Sequence, residues 1–339
     1  MDKVRVGLIG CGTVASYGHL PALTSIPEVE LVAISDINEE RLAEMKEKHG
    51  IESTYADYRE LLAREDMEAV GVATPLDQHF PVVMAAANAG KHVFCEKPIA
   101  DSVEKGSEMV KAMNRAGKLF AINFESRHSD PHPEIKALLQ RGTVGDLKVL
   151  RFVGNWMGGR WAGEERYRML ITVGLGPIVD CGIHYFDLSR WYSGSEFAEI
   201  SAKGTHIEDY PNPDHVVATC KMADGTLVLI ETGWAYTHNT PVHEAYTRID
   251  LIGTEGVIGC TSWQTGIEGA ETRNELSVYS RDSCFRRAIP PGRKAFDRMY
   301  SLFAESIRRG ALTDLPSGND GLQALKAALE ALRQAKGEC

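Results

Sequence analysis

Through its first 124 residues the chain repeats one pattern: a short apolar run, a turn, then a stretch with helical spacing. The apolar runs cover residues 4–9, 31–34, 69–73, 91–95 and 119–123. Runs this short, bounded by turn residues, predict buried strands. Helical spacing begins at Ala15 and recurs over 38–49, 57–62, 80–89 and 102–116, with Gly50, Gly90 and Gly117 as stops. Glycine suits the left-handed turn that ends a helix. Alternating strands and helices imply a mainly parallel sheet with right-handed crossovers.

Beyond residue 125 the pattern changes. A helix is predicted over 133–141, a strand over 147–153 and a helix over 179–192. Strands then follow at 200–206, 215–222, 226–234, 248–252, 257–261 and 276–279, with Asp224-Gly225 as a hairpin signal between two of them. Successive strands without crossovers imply an antiparallel sheet. An amphipathic helix over 322–335 closes the chain, and packing against the first domain is one arrangement open to it. The Gly- and Arg-rich stretch 156–176 reads as a long loop, and loops of that length are often functional.

The first strand runs into Gly10-Cys11-Gly12-Thr13-Val14-Ala15. This is the G-x-G-x-x-A form of the dinucleotide fingerprint. Gly10 allows the tight turn, Gly12 lets a pyrophosphate approach the backbone, and Ala15 permits close helix–strand packing. The helix start offers N–H groups to the phosphates, so residues 10–14 are expected at the cofactor. Asp36 ends the second strand, close to where a carboxylate that binds the adenosine ribose is expected, about 20 residues on. The plainer alternative is an acidic turn residue. A carboxylate there repels a 2'-phosphate, and Ile37-Asn38-Glu39-Glu40 brings no cation at once. NAD is therefore expected in preference to NADP. The fold class is α/β: a Rossmann domain over 1–124 and a second α/β domain over 125–339, with a large, mostly antiparallel open sheet.

Phe94-Cys95-Glu96-Lys97-Pro98 ends another strand. Ligands of open α/β sheets bind outside the carboxyl ends of strands, which turns Lys97 from a surface cation into a candidate reagent. Further on, Asp180, His184 and Asp187 stand at helical spacing, which predicts a shared face for Asp180 and His184. A surface stripe explains the spacing equally well. Histidine is nonetheless the natural proton acceptor near neutral pH.

Composition narrows the partners. The 339 residues carry a formal net charge of -10, which disfavours nucleic acid and anionic membranes. No apolar run reaches the roughly 18 residues of a membrane span, and Met1-Asp2-Lys3-Val4 leads directly into a strand, so a cytoplasmic location is expected. The seven cysteines form no C-x-x-C pair and are expected reduced. No metal is expected: His128-Ser129-Asp130-Pro131-His132-Pro133-Glu134 holds ligand types but fits a linker better.

Together, Gly10-x-Gly12-x-x-Ala15, Glu96-Lys97-Pro98 and Asp180-x-x-x-His184-x-x-Asp187 resemble the Gfo/Idh/MocA oxidoreductases, the glucose–fructose oxidoreductase and inositol dehydrogenase group. The resemblance implies hydride transfer to NAD from a secondary hydroxyl of a sugar, inositol or related cyclic polyol. It places Lys97 beside the nicotinamide and reacting hydroxyl, Asp180 on substrate and His184 as base. Glu96 and Pro98 shape the lysine turn, and Thr74, Pro75 and His79 belong to a loop near the cofactor. Arg127 matches a common arginine after the last Rossmann strand. It also implies a homodimer or homotetramer formed through the second sheet. Leu76 replaces a frequent asparagine, and Val173-Gly174-Leu175-Gly176-Pro177 replaces a triple glycine, so the substrate-side loop differs.

In the mechanism these roles suggest, His184 takes the hydroxyl proton while Lys97 steadies the oxygen. Lysine as base would need its pKa lowered by some 2–3 units, a differential of about 3–5 kcal/mol. Aromatic and multidentate polar groups, Trp156, Arg160, Trp161, Arg166, Tyr167, Arg168, Trp234, Tyr236, His238 and His243, suit a cyclic polyol; of these, Trp156, Arg160 and Trp161 are the foremost substrate candidates. Redox-neutral glycoside cleavage with bound NAD, and a non-enzymatic NAD or sugar sensor, are the alternatives.

Overall fold

The structure, a computed structural model, describes residues 2–156, 174–235, 240, 242, 244–265, 270, 273–290 and 294–338. The chain forms two compact units, Met1–Glu125 with Lys294–Leu325, and Ser126–Arg293 with Lys326–Cys339.

Six parallel strands form the sheet of the first unit: β1 (Val4–Ile9), β2 (Val29–Ser35), β3 (Thr54–Tyr55), β4 (Ala69–Val72), β5 (His92–Cys95) and β6 (Phe120–Ile122). Their order is β3-β2-β1-β4-β5-β6. Succession reverses beside β1, which is where doubly wound sheets open a crevice for a dinucleotide. One π turn, Ala15–His19, leads into α1 (Leu20–Ser25). The other helices here are α2 (Glu39–His49), α3 (Tyr58–Leu62), α4 (Leu76–Asn88) and α5 (Val103–Arg115). Asn38 caps α2 by accepting from the Arg41 N–H, and Gly50 ends it at φ 65°. The helix expected from residue 80 begins at Leu76, immediately after Pro75. Proline has no N–H to leave unsatisfied at a helix start.

The second unit contains α6 (His132–Gln140), β7 (Leu147–Asn155), α7 (Pro177–Asp180) and α8 (Ile183–Ser193). Its remaining strands are β8 (Phe197–Thr205), β9 (His215–Met222), β10 (Leu227–Gly233), β11 (Glu244–Gly253), β12 (Gly256–Thr265), β13 (Arg273–Ser280) and β14 (Cys284–Ala288). They pair in the order β14-β13-β12-β11-β7-β10-β9-β8. Every pairing is antiparallel except β7 with β10. Leu150, Phe152, Val216, Ala218, Val228 and Ile230 turn inward, whereas Val217, Leu227, Leu229, Ile252, Trp263 and Tyr279 are exposed. The alternation is that of a sheet buried on one face. Tyr185 of α8 stacks on Phe152 at 5.1 Å between ring centroids. Gly154 makes room for that ring, since a Cβ there would lie 2.1 Å from the Tyr185 hydroxyl.

The continuous helix expected over 179–192 is two helices. Asp180 ends α7, and α8 starts at Ile183. Gly182 sits at the break, where a Cβ would stand 2.5 Å from the Ile178 carbonyl oxygen. The shared helical face predicted for Asp180 and His184 is therefore overturned.

Two helices end the chain. Helix α9 (Phe296–Arg309) adds to the elements expected from the pattern. It sends Phe296, Met299, Tyr300 and Phe303 into the core of the first unit, with Leu8, Ile34 and Phe94. Helix α10 (Gly318–Ala335) follows, and the division between units falls within it. None of the described helices is long and apolar enough to cross a membrane.

Candidate active site

In the first unit the glycine turn follows β1. Gly10 has φ 94°, and a Cβ there would lie 2.6 Å from the Ala73 carbonyl and 2.8 Å from the Thr74 nitrogen. Only glycine fits that conformation in that space. Gly12 and Val14 are half-buried and Thr13 is exposed, while the Cys11 side chain is buried. Burial, helped by the Asp36 charge, pushes the Cys11 thiol up to about 12. Its N–H donates to Asp36 Oδ2 at 2.7 Å, and the Asn38 N–H donates to Oδ1 at 2.9 Å. Each carboxylate oxygen keeps acceptor capacity for a ribose hydroxyl.

Thr74 presents a buried hydroxyl oxygen with no hydrogen-bond partner. A buried orphan hydroxyl beside a glycine cradle is what a bound dinucleotide would complete, so the residues present fit the cofactor. His79 lies deeper, 2% exposed. Its Nδ1 is 2.8 Å from the Pro98 carbonyl oxygen and its Nε2 3.1 Å from that of Thr74. Burial draws this imidazole below its usual range. His79 thus ties together the turns that follow β4 and β5.

Lys97 is half-buried directly after β5, and its N–H donates to Glu96 Oε2 at 3.2 Å. Glu96 Oε1 accepts from Asn123 Nδ2 at 2.5 Å and from His19 Nε2 at 2.9 Å. The Tyr300 hydroxyl is 2.7 Å from His19 Nδ1. Burial, with the Glu96 charge, holds the Tyr300 phenol well above its usual range, so the phenol is the donor. Burial alone would raise the Glu96 carboxyl, but the His19 hydrogen bond and the Lys97 charge outweigh it and hold the pKa at about 2. The lysine turn is thereby anchored by α9 as well as by its own strand. His19, Asn123 and Tyr300 carried no motif in the sequence. Lys294 also enters this unit, pairing with the buried Glu125 at 3.1 Å.

A 3₁₀ turn spans Glu125–His128, and from Ser126 onward it belongs to the second unit. From it, Arg127 grips the fully buried Asp187 with two bonds, Nε to Oδ2 at 2.8 Å and Nη2 to Oδ1 at 2.5 Å. A buried carboxylate needs such a partner, and this one accounts for the innermost member of the polar stripe. One residue earlier, Ser126 Oγ lies 3.2 Å from His184 Nδ1. Asp180 is half-buried, with the Cys181 thiol 3.7 Å from its Oδ2, and Trp234 Nε1 donates to that sulfur at 3.5 Å. Trp156 Nε1 is buried without a partner. Arg160, Trp161, Arg166, Tyr167, Arg168, Tyr236, His238 and His243 lie outside the described residues. The six described cysteines are free, and the described residues gather no group of three metal-ligating side chains.

A glycine turn opening a sheet of this order, with a charged turn after β5, defines a dinucleotide-dependent oxidoreductase. The family models agree. Residues 4–124 match the oxidoreductase family with NAD-binding Rossmann fold, and residues 132–259 match the GFO/IDH/MocA C-terminal domain. The chain belongs to this Gfo/Idh/MocA family. It is 31% identical over 260 residues to myo-inositol 2-dehydrogenase of Thermotoga maritima, covering 75% of this chain and 74% of the relative. It is 28% identical to the uncharacterized oxidoreductase YrbE of Bacillus subtilis, covering 96% and 92% of the two chains. Its fold matches that of an Agrobacterium radiobacter oxidoreductase crystallised with NAD+, L-tartaric acid and magnesium. The TM-score is 0.85 at 21% identity, over 100% and 98% of the two chains.

Proposed function

We propose that this protein oxidises a secondary hydroxyl of a cyclic polyol, an inositol or a pyranose sugar, with NAD as hydride acceptor. The observation that carries the reading is the Glu96–Lys97 turn at the end of β5. Its carboxylate is ionised and tied by His19 and Asn123. This fixes the peptide that presents Lys97. NAD, when bound, supplies the hydride acceptor, and the protein supplies positioning and a proton path. Residues 10–14 cradle the pyrophosphate, Asp36 holds the adenosine ribose and the Thr74 hydroxyl gains the partner it lacks. His184 accepts the hydroxyl proton, and Lys97 stabilises the negative charge that develops on oxygen. Asp180 orients a neighbouring hydroxyl, and the unpaired Trp156 indole N–H donates to another. Myo-inositol dehydrogenation by the Thermotoga maritima relative supports the substrate class.

The test is a panel of inositols, aldoses and sugar acids with NAD, followed by NADH absorbance. Sustained NADH from one cyclic polyol is the expected result. Demonstrable NAD binding with no NADH from any member would overturn the reading. The exposed row of Val217, Leu227, Leu229, Ile252, Trp263 and Tyr279 on the second sheet supports a homo-oligomer through that face. Sedimentation of the purified chain as a monomer would rule that assembly out.

A further inference from the structure

A π turn carries one residue more than an α turn and often marks a functional site. The π turn Ala15–His19 directly follows the glycine turn and ends in His19, whose side chain is wholly buried. Helix α9 packs on its last two residues. Phe296 lies against Gly18, where a Cβ would come within 2.6 Å of the phenyl ring, and its ring centroid stands 4.9 Å from that of His19. Tyr300, one helical turn further on, brings its hydroxyl to 2.7 Å from His19 Nδ1. Through its other nitrogen, Nε2, His19 meets Glu96 Oε1 at 2.9 Å.

Both ring nitrogens are therefore used, and their neighbours decide which of them carries hydrogen. Glu96 is an ionised carboxylate, which only accepts, so Nε2 carries hydrogen. The Tyr300 phenol keeps its proton, and His19 Nδ1 is its one hydrogen-bond partner among the described residues. If Nδ1 also carried hydrogen, the buried phenol O–H would be left without an acceptor, at the full cost of its desolvation. A neutral ring satisfies every group. Nor is the Glu96 charge left bare beside a neutral ring. Its Oε1 also accepts from Asn123 Nδ2 at 2.5 Å, its Oε2 accepts from the Lys97 N–H at 3.2 Å, and the Lys97 charge is close enough to favour the carboxylate. Hydrogen bonds then run one way, from α9 through His19 to the carboxylate that holds the Lys97 peptide.

We propose that Tyr300 and His19 are positioning residues for hydride transfer: the phenol donates to His19 Nδ1, the Nε2–H of the neutral imidazole donates to Glu96, and this chain holds the turn that presents Lys97 in register with the glycine turn. The effect on turnover rests on the dehydrogenase reading, and the hydrogen bonds do not. His19 stands one π turn from the cofactor cradle and touches the residue before Lys97, so it joins the part that places the cofactor to the part that places the reacting oxygen. Misplacing such parts by about 1 Å can cost about 100-fold in rate.

The experiment uses the full chain labelled with ¹⁵N-histidine, near neutral pH. Long-range ¹H–¹⁵N spectra are recorded for the wild type and for Tyr300→Phe, which removes only the hydroxyl, with His19→Gln to assign the resonances. The expected wild-type ring has a bare Nδ1 and a protonated Nε2. In Tyr300→Phe the Nδ1 signal should shift, because that nitrogen loses the phenol hydrogen. A doubly protonated ring or an Nδ1–H tautomer in the wild type, or an unmoved Nδ1 signal in Tyr300→Phe, overturns the proposal. Once a substrate is found, Tyr300→Phe should lower kcat by about 10-fold to 100-fold with NAD affinity nearly unchanged. His19→Gln, whose amide can still donate to Glu96, should keep more of kcat than His19→Leu. Wild-type kcat in Tyr300→Phe, or equal losses in the two His19 variants, counts against the proposal. The spectra need no substrate. The expected tautomer with no NADH from any polyol therefore supports the hydrogen-bond chain and sinks the dehydrogenase reading alone, whereas a doubly protonated ring with NADH formed sinks the chain alone.

Discussion

At the scale of single residues, two carboxylates show how a side chain's neighbours decide its use. Asp36 takes two backbone N–H donors, from Cys11 and Asn38, which hold its carboxylate in place beside the glycine turn. An adenosine 2'-phosphate would meet that charge directly. Asp36→Ala should raise NADP affinity relative to NAD by about tenfold or more, equivalent to roughly 1.4 kcal/mol, as read by fluorescence titration with both reduced cofactors. An unchanged ratio would remove Asp36 from cofactor choice. Glu96 ionises in the folded state at about 2, against an ordinary value near 4.5. Its folded pKa is depressed, so its contribution is complete above pH 4.5 and is lost as pH falls from there towards 2. Urea unfolding at stepped pH should show the wild type losing stability across this window more steeply than Glu96→Gln. Parallel slopes would mean that the carboxylate is not what the network holds. Neither arrangement could be foreseen in full. Asp36 announces itself by its distance from Gly12, but the donors to Glu96 come from His19 and Asn123, residues brought together only by folding.

At the scale of elements, the sequence was most legible where one physical signal dominated. Strands β1, β2, β4, β5 and β6 are short apolar runs, and Gly50, Gly90 and Gly117 follow helices with φ between 64° and 66°. Legibility failed where signals competed or were absent. The α7–α8 break lies inside an unbroken helical periodicity, and its one local mark is Gly182, which the tight turn accepts because it brings no Cβ towards the Ile178 carbonyl. Strand β14 is exposed at every residue, so no alternation marks it. Helix α9 did carry a signal, with Phe296, Met299, Tyr300, Phe303 and Ile307 at helical spacing, a stripe that would have pointed to Tyr300 behind His19. Packing between elements is also where Gly154 is testable. Gly154→Ala puts a methyl into the Tyr185 ring and should destabilise the fold by about 1–3 kcal/mol, the usual cost of overpacking a core, as measured by denaturant unfolding. Wild-type stability would mean that Tyr185 has room to withdraw.

At the scale of the whole molecule, the first unit is built from two stretches of chain far apart in sequence, Met1–Glu125 and Lys294–Leu325. Tyr300 and Phe303 are among the largest side chains fully buried in the protein, and each is worth several kcal/mol in a core, about 3–5 when truncated to alanine. A chain ending at residue 290 should therefore lose NAD binding and cooperative unfolding of the first unit, as followed by calorimetry with and without NAD. Retention of both would show that residues 1–125 are self-sufficient. The same arrangement has a consequence in time. A ribosome that has just completed the first of these stretches, at Glu125, must add the 168 residues from Ser126 to Arg293 before the second stretch begins. At about 5–20 residues per second that is a wait of roughly ten to thirty seconds. The part of the protein made first is thus among the last to be completed, and until then the apolar surface of Leu8, Ile34 and Phe94 is a natural client for whatever holds nascent chains soluble.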